Sequence, residues 1–402
     1  IHYPRPMFTP PHVFDQPAPA FDINSIETPA FVVDLELLRK NLERLALVQR
    51  EAGVKVLLAL KGFSMFSTFD LVREYLSGCC ASGLNEALLA YHEFGKEVHV
   101  YAPAFKPKEM EQILPIANHI SFNSLAQWRK FRPMIDAARA AGQNAPSPGI
   151  RVNPEHSEVE VSLYDPCSPG CRLGIRADSL EGEDLSGIEG LHFHALCEQG
   201  SDVLERVVGA VEKRFPKLIE QVEWVNMGGG HHISRSDYDL ERLIRVLKTF
   251  KARWGKEHVY LEPGEAVGLN TGYLIAEVQD IVPTNPPTAI LDLSASAHMP
   301  DTMEMPYRPH IFGGGMPGEF PHEYKMGGMT CLAGDVLHGF SFPQPLELGQ
   351  RLVFADMAHY TMVKTTTFNG VHHPDIAIYD RSKKEYRVVR RFRYEDFRDK
   401  LS

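Results

Sequence analysis

The sequence lacks several features that would place it in a specialised class of protein. No apolar run is long enough to cross a bilayer, and no basic stretch leads into an apolar one near Ile1. Because the first residue is not methionine, the natural start of the chain stays open. An excess of positive charge is also missing, since 42 Lys and Arg stand against 52 Asp and Glu. The net charge of −10 argues against a nucleic-acid partner.

Cysteine is scarce, with six residues in 402. The cysteines form neither the paired CxxC motifs of a zinc site nor the dense framework of a small secreted domain. We therefore predict reduced thiols and a cytoplasmic protein. The pairs His231-His232 and His372-His373 have no carboxylate at a matching spacing, so no metal is predicted.

What the sequence contains is a regular alternation of strand-like and helix-like segments. Residues 54–60 are continuously apolar, as in a parallel strand buried on both faces. Eight strands, each followed by a helix or loop, predict a closed (β/α)8 TIM-like barrel, with an open doubly wound sheet as the alternative. The predicted strands are 54–60, 79–82, 98–101, 119–122, 150–152, 191–196, 224–227 and 259–262. The helices predicted between them are 66–76, 87–94, 108–116, 125–141, 203–222 and 240–254, with a long loop over 154–172.

After Gly264 the pattern changes to β-rich segments separated by Gly and Pro turns. This change predicts a second, C-terminal all-β domain, joined by the N-terminal segment. We place the barrel at 34–268 and the second, sandwich-like or barrel-like domain at 1–33 together with 269–402.

Reactive groups follow the predicted strands where barrel enzymes have their active sites. Lys61 follows the first strand, His194 lies near the end of the sixth, and Glu262 ends the eighth. Three glycines (228–230) end the seventh, and their N–H groups can come close to an anion because no side chain intervenes. An amine, an aromatic ring, an anion site and a carboxylate on one rim are the groups that hold pyridoxal phosphate.

Each of these residues also has a plainer interpretation when it is taken alone. Lys61 could be a surface lysine that extends from a buried strand, and His194 a hydrogen-bonded core histidine. The glycines and the Glu262-Pro263-Gly264 segment could be ordinary turns. The residue pattern by itself leaves these alternatives open.

Several short motifs occur in the order in which a known enzyme family carries them. They are Ala59-Leu60-Lys61-Gly62-Phe63, His192-Phe193-His194, Asn226-Met227-Gly228-Gly229-Gly230, Glu262-Pro263-Gly264, Cys331-Leu332-Ala333-Gly334-Asp335, His359-Tyr360-Thr361 and Thr366-Thr367-Phe368-Asn369-Gly370. From about residue 28 to 375, the chain resembles the fold-type III pyridoxal-phosphate decarboxylases of the alanine racemase and ornithine decarboxylase superfamily.

The resemblance implies pyridoxal 5'-phosphate as the cofactor, bound covalently by Lys61. It implies that His194 stacks on the ring, that Glu262 keeps the ring nitrogen protonated, and that Cys331 returns a proton to the α-carbon after CO2 leaves. Racemases of the superfamily carry Arg at this nitrogen, so Glu262 favours decarboxylation. For Cys331 the alternative is a buried apolar cysteine. The implied catalytic residues are Lys61, Cys331 and His194, and the implied cofactor-binding residues are Lys61, His194, Gly228, Gly229, Gly230, Glu262, Gly264 and Tyr360.

The resemblance also implies a homodimer, because the family's Cys331 and Asp335 motif completes the site of the partner subunit. Segments 192–198, 261–266 and 297–300 are most similar to the carboxynorspermidine/carboxyspermidine decarboxylases, which implies a carboxylated polyamine substrate. Two acidic positions would bind its amines, Asp335 at one and Asp301, Glu304 or Asp292 at the other. The loop over 154–172 could close over the substrate.

The sequence departs from the family pattern at two positions. Glu265 follows Glu-Pro-Gly where ornithine and diaminopimelate decarboxylases usually carry Arg, and Cys79 stands where ornithine decarboxylase has an acid. A decarboxylase of diaminopimelate, ornithine or arginine, which would use the same chemistry, stays open as the alternative. A non-catalytic pyridoxal-phosphate-binding homologue is a more distant alternative, because Lys61, the glycines and Cys331 are all present.

Overall fold

The structure, a computed structural model, describes residues 8–159 and 161–402, so residues 1–7 of the predicted second domain lie outside it. The chain divides into two compact units. We call Arg39–Val267 the barrel unit, and Ile1–Leu38 with Gly268–Ser402 the sheet unit. Within the described ranges, no helix has the length and apolar character needed to cross a membrane.

The first long elements are strand β1 (Ala30–Asp34) and helix α1 (Leu35–Ala52). Asp34 ends the strand and caps the helix, because its Oδ1 accepts the N–H of Glu36 at 3.0 Å and of Leu37 at 3.3 Å. Leu38, Leu42, Leu45 and Val48 lie on one face of α1 and are buried.

Eight parallel strands of the barrel unit pair in chain order and close into a ring. They are β2 (Lys55–Ala59), β3 (Gly78–Ala81), β4 (Glu97–Tyr101), β5 (His119–Phe122), β6 (Ser147–Arg151), β7 (Gly190–His192), β8 (Trp224–Asn226) and β9 (His258–Leu261). The ring closes because Lys55 and Val56 of β2 pair with Tyr260 and Leu261 of β9. This pairing confirms the predicted barrel and excludes the open sheet.

The helices of the barrel unit follow the strands, with one prediction wrong. They are α2 (Phe69–Tyr75), α3 (Leu84–Leu89), α4 (Pro107–Ile113), α5 (Leu125–Ala140), α6 (Ser201–Arg214), α7 (Pro216–Gln221) and α8 (Leu240–Trp254). The single helix predicted over 203–222 is two helices, α6 and α7. Pro216 has no N–H with which to continue the ladder of α6, so it opens the next helix instead.

Two glycines make room for an indole ring inside the barrel. A Cβ on Gly190 would lie 1.9 Å from Cε2 of Trp224, and one on Gly149 would lie 2.6 Å from its Cη2. Gly149 and Gly190 are register partners on β6 and β7, so together they form one slot. The indole N–H donates to Ser147 Oγ at 2.8 Å. The packed interior positions the strand ends that carry the site.

The sheet unit is built on an eight-stranded sheet, which confirms the predicted β-rich domain. Helix α9 (Glu265–Gly268) lies where the barrel unit ends. The other elements of the sheet unit are β10 (Gly272–Val282), β11 (Thr288–Leu291), α10 (Ala295–His298), α11 (Asp301–Glu304), β12 (His322–Gly327), β13 (Val336–Phe342), β14 (Arg351–Ala355), α12 (Tyr360–Val363), β15 (Asp375–Asp380), β16 (Glu385–Arg390) and α13 (Tyr394–Arg398). β1 lies between β10 and β15, antiparallel to the first and parallel to the second. The sheet is therefore assembled from both ends of the chain.

Candidate active site

The C-terminal ends of barrel strands bring several predicted site residues together. Ala59 at the end of β2 donates its N–H to the carbonyl of Pro263 at 3.1 Å. A Cβ on Gly62 would lie 2.9 Å from Cα of Gly264, so these two turns touch where neither has a side chain. Lys61 therefore stands at the rim beside the Glu262-Pro263-Gly264 turn, and it is exposed.

The glycine turn after β8 is packed closely and partly occupied by hydrogen bonds. Gly228 and Gly230 have φ angles of +74° and +82°, which favour glycine. A Cβ on Gly230 would lie 1.9 Å from a backbone carbonyl oxygen. The N–H of Gly228 donates to Asn226 Oδ1 at 2.9 Å, and that of Gly229 donates to His194 Nδ1 at 3.0 Å. Two of the three predicted anion donors thus face side-chain acceptors, and phosphate binding here stays a prediction.

His194 is a neutral imidazole at this rim. Burial lowers its pKa well below the usual value, and the positive charges of Arg151 and Lys61 lower it further, against a raising effect of Glu262. Because Nδ1 accepts a hydrogen bond from Gly229, the proton of the neutral ring is on Nε2. A neutral, partly exposed ring suits packing against another aromatic ring.

Glu262 is a largely buried carboxylate with a hydrogen-bond partner at each oxygen. His192 Nε2 lies 3.0 Å from Oε1, and Asn226 Nδ2 donates to Oε2 at 2.8 Å. Burial by itself raises the pKa of Glu262, but His192, His194 and Asn226 outweigh burial and hold the pKa well below its usual range. Glu262 is therefore ionised at neutral pH, as a carboxylate that faces a protonated ring nitrogen must be.

His192 and Asn226 are site residues to which the sequence analysis gave no role, although both stand in its motifs. Arg151, His192 and Asn226 are successive register partners across β6, β7 and β8, so they occupy one layer of the barrel. The guanidinium of Arg151 lies 4.6 Å from the ring centroid of Tyr101 and donates to the carbonyl of His194 at 3.2 Å. The strand predicted over 191–196 ends at His192, so His194 lies beyond it. His192 and Asn226 each end a barrel strand, and that position was the available signal.

The sheet unit carries the predicted Cys331 and Tyr360. Cys331 is exposed on the loop between β12 and β13, and its N–H donates to Asn369 Oδ1 at 2.6 Å. Its neighbours Met329 and Leu332 are 53% and 45% exposed, which is high for apolar side chains. Tyr360 opens α12 and is partly exposed. Because Cys331 is exposed, the alternative that it is a buried apolar cysteine is excluded.

Asp335 is not placed as the sequence analysis expected of a substrate ligand. It is 1% exposed, and its Oδ1 accepts the N–H of Ser296 at 3.0 Å. Its Oδ2 accepts the hydroxyl of Thr330 at 2.6 Å and the N–H of the same residue at 3.3 Å. A carboxylate with both oxygens engaged and almost no exposed surface fits a role in holding the Cys331 loop better than a role in binding an amine.

The three other predicted substrate acids differ in how accessible they are. Burial raises the pKa of Asp292 to about 6, and its carboxylate accepts the hydroxyl of Thr28 at 2.5 Å. Asp301 accepts the hydroxyl of Tyr307 at 2.8 Å and is partly buried. Glu304 is exposed and forms an ion pair with Lys364, which follows the last residue of α12. Substrate binding by these acids stays a prediction.

The adjacent histidines after the glycine turn have other partners than a metal. His231 Nδ1 lies 2.7 Å from the hydroxyl of Tyr238, and His232 Nε2 lies 3.0 Å from a carboxylate oxygen of Glu265. Burial by itself lowers the pKa of His232, but the charge of Glu265 and its hydrogen bond outweigh burial and raise it. Glu265 stands where the family usually carries Arg. Because its charge raises the pKa of His232, a histidine that follows the glycine turn binds a proton more readily.

Within residues 8–159 and 161–402, one group of three potential metal ligands comes together, Glu97, His99 and His119 inside the barrel. His99 Nε2 lies 3.1 Å from Glu97 and 2.8 Å from His119 Nδ1, but the two imidazole planes are perpendicular. Lys55 forms an ion pair with Glu97 and supplies the positive charge that this carboxylate needs. We therefore interpret the group as an internal hydrogen-bond network.

Comparison with known proteins shows the family to which the chain belongs. A family model described as pyridoxal-dependent decarboxylase, C-terminal sheet domain, matches residues 30–358. Carboxyaminopropylagmatine decarboxylase of Synechocystis sp. is 46% identical over 380 residues, which cover 94% of this chain and 96% of that protein. Carboxynorspermidine/carboxyspermidine decarboxylase of Campylobacter jejuni is 45% identical over 383 residues, which cover 92% and 98%. The crystal structure of carboxynorspermidine decarboxylase complexed with norspermidine from Campylobacter jejuni has a TM-score of 0.85 and 44% identity, covering 93% of this chain and 100% of that chain. The chain belongs to the pyridoxal-dependent decarboxylase family.

Proposed function

We propose that this chain decarboxylates carboxynorspermidine or carboxyspermidine and releases norspermidine or spermidine in polyamine biosynthesis. The observation that carries the proposal is the 45% identity to the Campylobacter jejuni enzyme across 98% of its length. A second candidate substrate is carboxyaminopropylagmatine, which the 46% identity to the Synechocystis enzyme favours. Both proposals concern one chemistry, the loss of CO2 from the amino-acid end of a long cationic chain.

The side chains at the barrel rim fit pyridoxal phosphate. Glu262 is ionised and has hydrogen-bond partners on both oxygens, which suits a protonated ring nitrogen. When bound, this cofactor accepts the electron pair that remains on the α-carbon after CO2 leaves. Lys61 would hold it covalently, and neutral His194 would pack against its ring. The Gly229 N–H donates to an imidazole nitrogen, and a phosphate oxygen is a stronger acceptor that can replace it. Gly228, Gly230, Gly264 and Tyr360 would complete the phosphate site.

The proposed proton movements involve two residues. Glu262 would hold a proton on the ring nitrogen through its negative charge. Cys331 would donate a proton to the α-carbon after CO2 has left, and this role requires an accessible thiol. Cys331 is exposed. The loop over 154–172 would exclude water while this carbon is unprotected. Asp301, Glu304 and Asp292 remain the proposed acids for the substrate amines. Asp335, for which the resemblance implied the same role, is buried with both oxygens hydrogen-bonded, so we propose that it holds the Cys331 loop instead.

We also propose a cytoplasmic homodimer in which the predicted second domain, residues 1–33 with 269–402, supplies Cys331 to the barrel of the second subunit. The exposed apolar side chains of Met329 and Leu332 beside Cys331 support this proposal, because such side chains are expected where a second copy covers the loop. The barrel, residues 34–268, would bind the cofactor. The dimer would therefore contain two equivalent active sites, each with the barrel of one subunit and Cys331 of the other.

The substrate proposal is tested by measuring CO2 release at equal concentrations of five substrates. These are carboxynorspermidine, carboxyspermidine, carboxyaminopropylagmatine, diaminopimelate and ornithine. We expect kcat/KM for a carboxylated polyamine to exceed that for diaminopimelate at least about tenfold, because the longer cation binds more of the site. A higher kcat/KM for diaminopimelate than for carboxynorspermidine would overturn the proposal.

The cofactor proposal predicts that Lys61→Ala abolishes both turnover and the visible absorbance of the bound cofactor. The reason is that the amine which binds the aldehyde is removed. Lys106→Ala, at an exposed lysine of the same unit, serves as the control and should keep both. Retention of activity and absorbance in Lys61→Ala would show that the assignment of Lys61 is incorrect.

A further inference from the structure

The side chain of Asn226 binds two different parts of the site at once. Its Oδ1 accepts the N–H of Gly228 at 2.9 Å, and its Nδ2 donates to Oε2 of Glu262 at 2.8 Å. Asn226 is 3% exposed, so neither end of the amide is exchanged readily for water. Flipping the amide would put Nδ2 against an N–H donor and Oδ1 against a carboxylate, and both contacts would be unfavourable.

The backbone supports the same connection. The N–H of Glu262 donates to the carbonyl of Gly228 at 2.9 Å. A Cβ on Gly229 would lie 2.3 Å from the carbonyl oxygen of Glu262, so the turn and the end of β9 lie directly against each other. A shift of the glycine turn must therefore either move the carboxylate of Glu262 or break a hydrogen bond of Asn226, to Gly228 or to Glu262.

His192 contacts the same carboxylate, but its ring nitrogen reaches only the oxygen Oε1. The edge of the His192 ring packs against Tyr101, with ring centroids 5.3 Å apart and planes at 88°. His192 therefore orients Glu262 without a hydrogen bond to the glycine turn. Between His192 and Asn226, which both contact the Glu262 carboxylate, Asn226 is the one that also binds Gly228.

We infer that Asn226 is a positioning residue that couples the phosphate end of the cofactor site to the ring-nitrogen end. The inference rests on the proposed function, because the two ends acquire their meaning when pyridoxal phosphate is bound. Asn226 sets the direction of the glycine turn through Oδ1 and the direction of the Glu262 carboxylate through Nδ2. The ring and the phosphate of one cofactor are thereby held in a fixed relation by one side chain.

The phosphate end is tested by comparing two ligands that differ by one group. The binding of pyridoxal phosphate and of pyridoxal is titrated on the full-length chain after the cofactor has been released with hydroxylamine and removed by dialysis. We expect Asn226→Ala to lower the preference for pyridoxal phosphate over pyridoxal about tenfold, because the turn that receives the phosphate is released. General destabilisation would weaken both ligands and leave their ratio unchanged.

The ring-nitrogen end is tested by the 15N chemical shift of the ring nitrogen in holoenzyme loaded with labelled pyridoxal phosphate. Asn226→Ala should move this signal, because Glu262 loses the hydrogen bond that the Asn226 side chain donates to Oε2. His192→Gln should move the signal but keep the ligand preference within about twofold. Asn226→Asp keeps the acceptor for Gly228 and removes the donor to Glu262, so it should also move the signal and retain the preference.

Asn153→Ala is the matched control, since Asn153 is another buried asparagine of the barrel unit and its Oδ1 accepts the N–H of Glu155 at 2.8 Å. It should change neither measurement. A folded Asn226→Ala or Asn226→Asp variant whose ligand preference and 15N signal both match wild type would overturn the inference. So would an Asn226→Ala variant that changes only one of the two. Failure of the wild-type chain to bind pyridoxal phosphate would instead contradict the proposed function itself.

Discussion

At the scale of single residues, the charge state of each site group follows from its immediate partners. Glu262 is ionised although burial raises its pKa, because the electrostatic and hydrogen-bond effects of His192, together with His194 and Asn226, outweigh desolvation. His194 is neutral because burial and nearby positive charge act in the same direction. Burial raises the pKa of a carboxylate and lowers that of an imidazole. The neighbours of Glu262 nevertheless keep it ionised and His194 stays neutral, and these are the forms that the proposed chemistry needs.

Asp335 provides a residue-scale prediction that separates two roles. We expect Asp335→Asn to lower kcat about tenfold and to change KM less than about twofold, because the loop that carries Cys331 loses its anchor. Steady-state kinetics with the best substrate would measure this. Thr330→Val, which removes one donor to the same carboxylate, should change kcat in the same direction and by less. A large rise in KM with an unchanged kcat would instead support the substrate contact that the sequence predicted.

Asp292 predicts a pH dependence of stability. Its pKa is raised to about 6 in the folded chain and is about 3.9 when unfolded, so the folded state binds more protons between these values. The contribution of Asp292 to stability is therefore greatest below about pH 4 and is lost as the pH rises through about 6. The variant Asp292→Asn lacks this titration. Its free energy of unfolding relative to wild type should increase from pH 4 to pH 7 in denaturant titrations, whereas Asp399→Asn at an exposed position should show no such trend.

At the scale of elements, the barrel depends on where side chains are absent. The slot formed by Gly149 and Gly190 receives the indole of Trp224, and close contact between Gly62 and Gly264 brings the ends of β2 and β9 together. Any side chain at these glycine positions would have to push the strands apart. The close packing of the strands therefore depends on glycines that are not among the proposed catalytic residues.

Gly190→Ala tests this packing. The added Cβ would meet Trp224 at 1.9 Å, and we expect a loss of roughly 1–3 kcal/mol in the free energy of unfolding. Gly209→Ala in α6 is the control, because a Cβ there meets no atom within 4 Å. Since alanine is the better helix former, this control should be neutral or stabilising by up to about 1 kcal/mol. Equal unfolding midpoints in urea for Gly190→Ala and wild type would contradict the packing argument.

At the scale of the whole molecule, the chain builds two units from three stretches of sequence. β1 precedes the barrel in the sequence but pairs with β10 and β15, so the sheet forms only after the barrel segment has been made. Lys61 belongs to the barrel unit and Cys331 to the sheet unit. In the proposed homodimer these two residues act together across subunits.

Mixing two inactive variants tests the shared site. Lys61→Ala and Cys331→Ala homodimers should each have little activity, but subunit exchange should restore about a quarter of the wild-type value, because half of the dimers would contain one intact site of two. Activity after mixing and sedimentation velocity of each variant would be measured. No recovery despite verified exchange would contradict the shared site, and a monomer in solution would contradict the dimer.

The sequence by itself determined the succession of barrel strands, the β-rich second domain and the motifs of the pyridoxal-dependent decarboxylase family. These features are local, because apolar runs, turn residues and motif order are visible within short segments. Only the tertiary structure decided the partners of Glu262, the burial of Asp335 and the bridging position of Asn226. Those depend on strand register and on which hydrogen-bond donors are used up by distant residues, and a linear sequence records neither.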